Sequence, residues 1–164
     1  MLFALKAADM RFSLLWLLGI TTGLRVSDLL ALRTSSVSRT GFISLNEKKT
    51  GKLKEIQLCP EVLEEYKYFV RMRGLKPNQY LFYSSNHRRD KPMTRQWVHH
   101  VIARTARLIG LDFIGAHSMR KIYACNLYRV TGSLKCVQDA LNHKYASTTM
   151  IYLRDLLEAA VNPS

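Results

Sequence analysis

Within residues 117–152, HSMRKIYACNLYRVTGSLKCVQDALNHKYASTTMIY, two imidazoles, a guanidinium and a phenol stand at set intervals. His117 and Arg120 are one helical turn apart, and Tyr152 comes nine residues after His143. The set suits attack of a phenol on a phosphate diester. The phenol is the nucleophile, the guanidinium holds the anion, and the imidazoles relay a proton or donate to a phosphate oxygen. No cluster of carboxylates accompanies them, so the stretch does not call for a metal or another cofactor. Three things are still wanting: a second fixed positive charge, a proton donor for the leaving group, and a surface that holds a polyanion.

The totals favour such a surface. The chain has 164 residues, 48% hydrophobic and 23% charged, which is one globular domain able to bury a core. Its formal charge of +13 favours DNA, RNA or an anionic membrane as partner. The apolar run from Phe12 to Ile20 is too short to span a bilayer, and no A-x-A-like cleavage site follows it. It reads as a buried first helix. Cys59, Cys125 and Cys136 match no zinc or CxxC spacing and read as reduced thiols of a cytosolic protein.

The elements that must position these groups are mainly helices, with one hairpin. Leu2 to Gly19 reads as a single helix, broken at Thr21-Thr22-Gly23, where Gly23 suits a sharp turn. A short helix follows from Arg25 to Leu32. Taken alone, that segment reads with Ser27 or Asp28 as its cap and Arg25 solvated. Phe42 to Leu45 and Leu53 to Leu58 read as strands around a polar turn that carries Lys48, Lys49 and Lys52. The turn lacks the GxxxxGK[ST] spacing of a phosphate-binding loop. Pro60 opens a helix to Arg73, Tyr80 to Tyr83 is a short extended piece, and Ser84 to Pro92 is a basic loop with His87, Arg88, Arg89 and Lys91.

Thr94 caps a helix that begins at Arg95 and runs to about Ile109, with Trp97, Val101, Ile102 and Ala106 near its apolar face. His99 and His100 on it read as surface or DNA-facing rather than catalytic. His117 begins the next helix, Ser133 caps a short one from Leu134 to Leu141, and Ser147 caps the last. The last helix has an apolar stripe of Met150, Leu153, Leu156, Leu157 and Ala160. Tyr152 lies about 100° from the stripe's centre and is a border residue able to face a groove. The expected fold class is mainly α with a small antiparallel β-sheet.

In this order the segments resemble the catalytic domain of tyrosine recombinases, the phage-integrase family. Thr22-Gly23-Leu24-Arg25-Val26-Ser27-Asp28-Leu29-Leu30 is similar to the segment with the family's first catalytic arginine, at Arg25, and its acidic residue, at Asp28. Lys49 in Lys48-Lys49-Thr50-Gly51-Lys52 resembles the hairpin lysine. His117-Ser118-Met119-Arg120 resembles the HxxR box. Leu141-Asn142-His143-Lys144 resembles the LGH box, with Asn142 where glycine is usual, a residue that tolerates the left-handed conformation. Tyr152 falls at the nucleophile position.

The resemblance implies a fold shared with type IB topoisomerases and a set of roles. Arg25 and Arg120 hold the nonbridging phosphate oxygens. Tyr152 attacks, His117 accepts or relays its proton, Lys49 protonates the leaving 5′-oxygen, and His143 donates to a phosphate oxygen. Asp28 orients His117 or an arginine. The product is a 3′-phosphotyrosyl ester that another strand's 5′-hydroxyl can reverse. Lys48, Lys52, Arg88, Arg89 and Arg95 are expected to contact double-stranded DNA.

The resemblance further implies a homotetramer on DNA at a recombination site, a monomer when free, no membrane partner, and a cytoplasmic, nucleoid-associated place in a bacterial, phage or mobile-element host. The family usually carries a helical core-binding domain first, whereas Met1 here leads almost directly into a catalytic-domain helix. Residues 1–164 are therefore expected to be the catalytic domain alone. Rival readings are a topoisomerase that only relaxes DNA, a DNA-binding module that keeps the fold, and a metal nuclease built on His117 and His143.

Overall fold

A computed structural model describes residues 1–46, 51, 53–85 and 89–161, with side chains through residue 154. Among the described residues there are eight α-helices, one 3₁₀ turn and one two-stranded antiparallel sheet, so the expected mainly helical class holds. In order they are α1 (Leu2–Ala8), α2 (Met10–Thr22), α3 (Val26–Leu29), a 3₁₀ turn (Thr34–Ser36), β1 (Phe42–Asn46), β2 (Leu53–Gln57), α4 (Pro60–Met72), α5 (Arg95–Leu108), α6 (Ala116–Thr131), α7 (Leu134–Ala140) and α8 (Ala146–Val161). β1 and β2 pair from Phe42 against Gln57 to Asn46 against Leu53.

Two hydrophobic clusters result. The larger packs α2, with Leu14, Leu15 and Leu18, against Leu29 of α3, Ile43 of the sheet, Phe69 of α4, Ile102 of α5 and Met119 of α6. The smaller is Ala124, Val137, Leu141 and Leu153, from α6 to α8. α6 contributes to both, through Met119 near its start and Ala124 further on. Any group placed between these residues on α6 sits at the seam of the two clusters.

The expected single helix from Leu2 to Gly19 is in fact two. Asp9 is extended, with φ −170° and ψ 131°, and it ends α1 and caps α2. Its carboxylate accepts the Arg11 backbone N–H at 2.8 Å and pairs with the Arg11 guanidinium at 2.7 Å and the Arg73 guanidinium at 2.6 Å. Arg11 also donates to the Tyr83 carbonyl at 2.6 Å, so the break ties the α1–α2 corner to the end of α4 and the following loop. Apolar periodicity runs through the break and hides it.

Other expectations shift locally. Trp97 lies outside the buried face of α5, half exposed and stacked on His100 with centroids 5.7 Å apart; Val98, Ile102, Thr105 and Ala106 face inward. α8 starts at Ala146, one residue before the expected cap Ser147. Met150 is exposed rather than part of an apolar stripe, while Leu153 is fully buried. Leu156, Leu157 and Ala160 lie outside the described side chains. Tyr80 and Tyr83 form isolated bridges, to Arg33 and Pro92, rather than a strand. Thr94 and Ser133 do cap α5 and α7, accepting from the backbone N–H of Trp97 and Cys136.

Burial alone would push the Asp9 carboxyl up. The hydrogen bonds from Arg11 and the charges of Arg11 and Arg73 outweigh it and hold the group below its ordinary value. A carboxyl lowered in the folded state binds more protons when unfolded, so it stabilises above the unfolded value and loses that contribution as pH falls through the folded one. Asp9→Ala is expected to cost about 1–2 kcal/mol at neutral pH, read by urea unfolding. The gap between the two proteins should close as the pH drops below about 3.8, the unfolded value.

Candidate active site

The α2–α3 corner, the first turns of α5 and α6, and the α7–α8 junction enclose one groove. Arg25, Arg95, His117, Arg120, His143 and Tyr152 all line it. These six come from five separate segments of the chain, and the fold brings them together.

Arg25 is placed by the end of α2. Helix α2 stops at Gly23, whose φ of 63° is left-handed and whose N–H closes on the Gly19 carbonyl. A side chain there would also overlap the ring of Tyr123. Two residues on, Arg25 is itself the N-cap of α3: its carbonyl accepts the N–H groups of Asp28 and Leu29 at 2.8 and 2.9 Å. Reading Arg25 as merely solvated, with Ser27 or Asp28 as cap, therefore fails. Arg25 is half-buried along the groove, and Asp28 is buried behind it in the first turn of α3.

Arg120 is buried. Its guanidinium donates to two backbone carbonyls, Gly23 at the end of α2 and Leu141 at the end of α7. The two acceptors fix the fork in place without bringing a formal charge of their own. Leu141 belongs to the smaller cluster and Gly23 adjoins Leu24 of the larger one, so the same contacts join the two. Beside it, burial pushes the Tyr123 hydroxyl above its ordinary value, against the pull of the Arg120 charge.

His143 and Tyr152 are set by the α7–α8 connection. Asn142 has φ 53°, the left-handed conformation expected of the residue standing where the family has glycine. The turn is closed by N–H bonds from Asn142 to Asp139 and from His143 to Gln138. His143 Nδ1 meets the hydroxyl of Thr149 at 3.0 Å, and Thr149 is fully buried on the inner face of α8. The His143 and Tyr152 rings meet edge to face, with centroids 5.2 Å apart and planes at 66°. Tyr152 is half-buried, packing on the smaller cluster while lining the groove, as a border residue should.

His117 is exposed in the first turn of α6. His99 of α5 also lines the groove, and its ring lies so close to Gly115, the N-cap of α6, that a side chain there would collide with it. Thr149 was not singled out by sequence reasoning, and His99 was read only as surface or DNA-facing. Thr149 carried no signal beyond its place on α8, and His99 could have been found from its position one turn after Arg95. Arg89 is held elsewhere: it donates to the Gly74 carbonyl at 3.0 Å and lies over the Tyr83 ring. Lys48, Lys49, Lys52, His87 and Arg88 lie outside the described residues.

Three guanidinium groups, three imidazoles and a phenol line the groove, and no carboxylate does among the described lining residues. That donor set attracts an anion. A small antiparallel sheet set among helices is the fold of tyrosine recombinase catalytic domains. The chain belongs to the phage integrase family, whose model matches residues 1–158.

It is 33% identical over 140 residues to the probable integrase/recombinase YoeC of Bacillus subtilis, covering 85% of this chain and 75% of that protein. It is 29% identical over 145 residues to the tyrosine recombinase XerA of Pyrococcus furiosus, covering 88% of this chain but only 50% of that one. Among solved structures, the XerH site-specific recombinase in its post-cleavage complex with difH substrate matches with a TM-score of 0.71 and 27% identity, over 92% of this chain and 45% of that one. A crystal structure of XerA, at 22% identity and TM-score 0.77, covers 97% of this chain and 61% of that one and shares the fold.

Gly23 makes the groove sensitive to a single methyl group. Gly23→Ala combines a left-handed strain of about 1 kcal/mol with a collision against Tyr123. The expected result is a loss of about 2–3 kcal/mol in urea unfolding, together with weaker phosphate-dependent DNA binding as the Arg120 acceptor moves. Unchanged stability would show that the corner relaxes freely.

Proposed function

We propose that the domain of residues 1–164 is the strand-breaking and rejoining unit of a site-specific DNA recombinase or integrase. The observation that supports it best is the convergence of Arg25, Arg120, His143 and Tyr152 on one groove without a carboxylate among its described lining residues. The Tyr152 oxygen attacks the phosphorus of a backbone diester, forming a phosphotyrosyl bond to the 3′ side as the bond to the 5′-oxygen breaks. Negative charge builds on the nonbridging oxygens, where the forks of Arg25 and Arg120 and the imidazole of His143 meet it. His117 takes the phenol proton, and Lys49 gives one to the departing 5′-oxygen. The ester keeps the bond's energy, so a 5′-hydroxyl from another strand reverses the step with the same groups.

Asp28, buried within one turn of Arg25, orients that arginine or His117. Arg95 contacts the DNA backbone at the groove's edge, with Lys48, Lys52, Arg88 and Arg89 as further basic contacts. No cofactor takes part. The partner is double-stranded DNA, held by a homotetramer at its recombination site and by a monomer otherwise, in the cytoplasm and nucleoid of a bacterial, phage or mobile-element host. Among the described residues no helix is long and apolar enough to cross a membrane.

A nicked suicide duplex, which loses the 5′-hydroxyl fragment after cleavage, is expected to trap a covalent adduct with the wild type in EDTA. Tyr152→Phe should give none, and an adduct that persists in this variant would remove Tyr152 as nucleophile. Arg25→Ala and Arg120→Ala should each slow adduct formation by about a hundredfold or more, the scale of one lost oxyanion donor. Loss of all activity in EDTA would favour the metal nuclease instead. Relaxation of supercoils without strand exchange between duplexes would favour the topoisomerase.

A further inference from the structure

Strand β2 alternates: Lys54 and Ile56 are half-buried, whereas Leu53, Glu55 and Gln57 are exposed. Ile56 packs on the larger cluster, as does Leu45, the cross-strand partner of Lys54. An inward lysine is out of phase with such a strand, whose inner face should be apolar. The side chain therefore needs a polar destination. Its ammonium donates to the Ala140 carbonyl at 2.8 Å, a contact across 86 residues of sequence.

Ala140 is the last residue of α7, a helix with no basic residue in its own last turn. The end of a helix presents carbonyl oxygens that favour cations. Here two consecutive carbonyls receive cations from distant elements: Ala140 from Lys54 and Leu141 from the buried fork of Arg120. The next two residues are Asn142, in its left-handed turn, and His143, in the groove.

We propose that Lys54 is a positioning residue for the reaction, its ammonium holding the β1–β2 ladder against the end of α7 and so fixing strand β2, which follows Lys49 in sequence, relative to the turn that carries His143. The inference rests on the reading of Lys49 as the leaving-group acid. Without the tether, strand β2 and the His143 turn no longer share a fixed distance, and delivery of a proton to the 5′-oxygen suffers first.

The test compares Lys54→Met, Lys54→Arg and Lys49→Met on two suicide duplexes. One has the ordinary 5′-oxygen at the scissile bond and the other a 5′-sulfur, which departs as a thiolate without needing a proton. Lys54→Met is expected to form adduct about tenfold more slowly on oxygen, part of what a general acid contributes, and at close to the wild-type rate on sulfur. Lys54→Arg, which keeps the cation, should recover most of the oxygen rate. No deficit, an equal deficit on both duplexes, or a deficit that arginine does not relieve overturns the inference.

Lys49→Met separates the two ideas. If sulfur does not rescue it, the reading of Lys49 fails. If sulfur rescues Lys49→Met but not Lys54→Met, only the tether fails. Amide hydrogen exchange on the free protein gives a second readout: opening of Leu141 to His143 should rise about tenfold in Lys54→Met and not in Lys54→Arg. Unchanged exchange there also overturns the inference.

Discussion

A buried guanidinium bonded to two carbonyls is the constraint on which the site depends. Arg120 comes from the middle of the seam on α6 and donates to Gly23 at the end of α2 and Leu141 at the end of α7. A buried cation is costly unless its donors are satisfied, and leaving a buried carbonyl unpaired costs about 1–3 kcal/mol. The three groups therefore hold one another in place. Lysine could not replace the fork, because a single ammonium lacks the planar spread that reaches two acceptors on different elements.

This contact explains why the groove forms where it does. Gly23 precedes Arg25 by two residues, and Leu141 precedes His143 by two. Fixing those carbonyls on one guanidinium brings the second arginine and the second imidazole to the same side. Tyr152 follows because α8 packs Leu153 into the smaller cluster, which leaves its neighbour at the edge, against the His143 ring. Buried Thr149, one turn earlier on α8, holds the other side of that ring. Stability and chemistry thus share their contacts: the seam between the two clusters is also the wall of the groove.

Much of this was legible in local spacing. His117 and Arg120 one turn apart, the interval from His143 to Tyr152, the glycine at 23 and the asparagine at 142 are properties of short segments, and helix and turn geometry carries them into the fold. What was not legible depends on contacts distant in sequence. Arg25 read as solvated from its own segment, because nothing near it announces the groove, and only the resemblance marked it. The break at Asp9 is masked by apolar periodicity that continues through it; Arg11 beside it and Arg73, far along the chain, hold it. Trp97 looked like core but stacks on His100, because α5 turns its Val98 and Ile102 face inward. Lys54 did leave a trace, a charge in the inward phase of an amphipathic strand, but its acceptor is a backbone carbonyl that no side-chain pattern can reveal.

The most direct measurement is the chemical location of the bond to DNA. Trypsin cutting after Lys144 and Arg154 releases one peptide that contains both Tyr145 and Tyr152. Tyr145 is the more exposed of the two, at 60%, and an unselective reaction would favour it. Fragmentation of that peptide from a trapped complex should place a 3′-phosphate on Tyr152 alone. A phosphate on Tyr145 or Tyr123, or a linkage through a 5′-phosphate, would contradict the account.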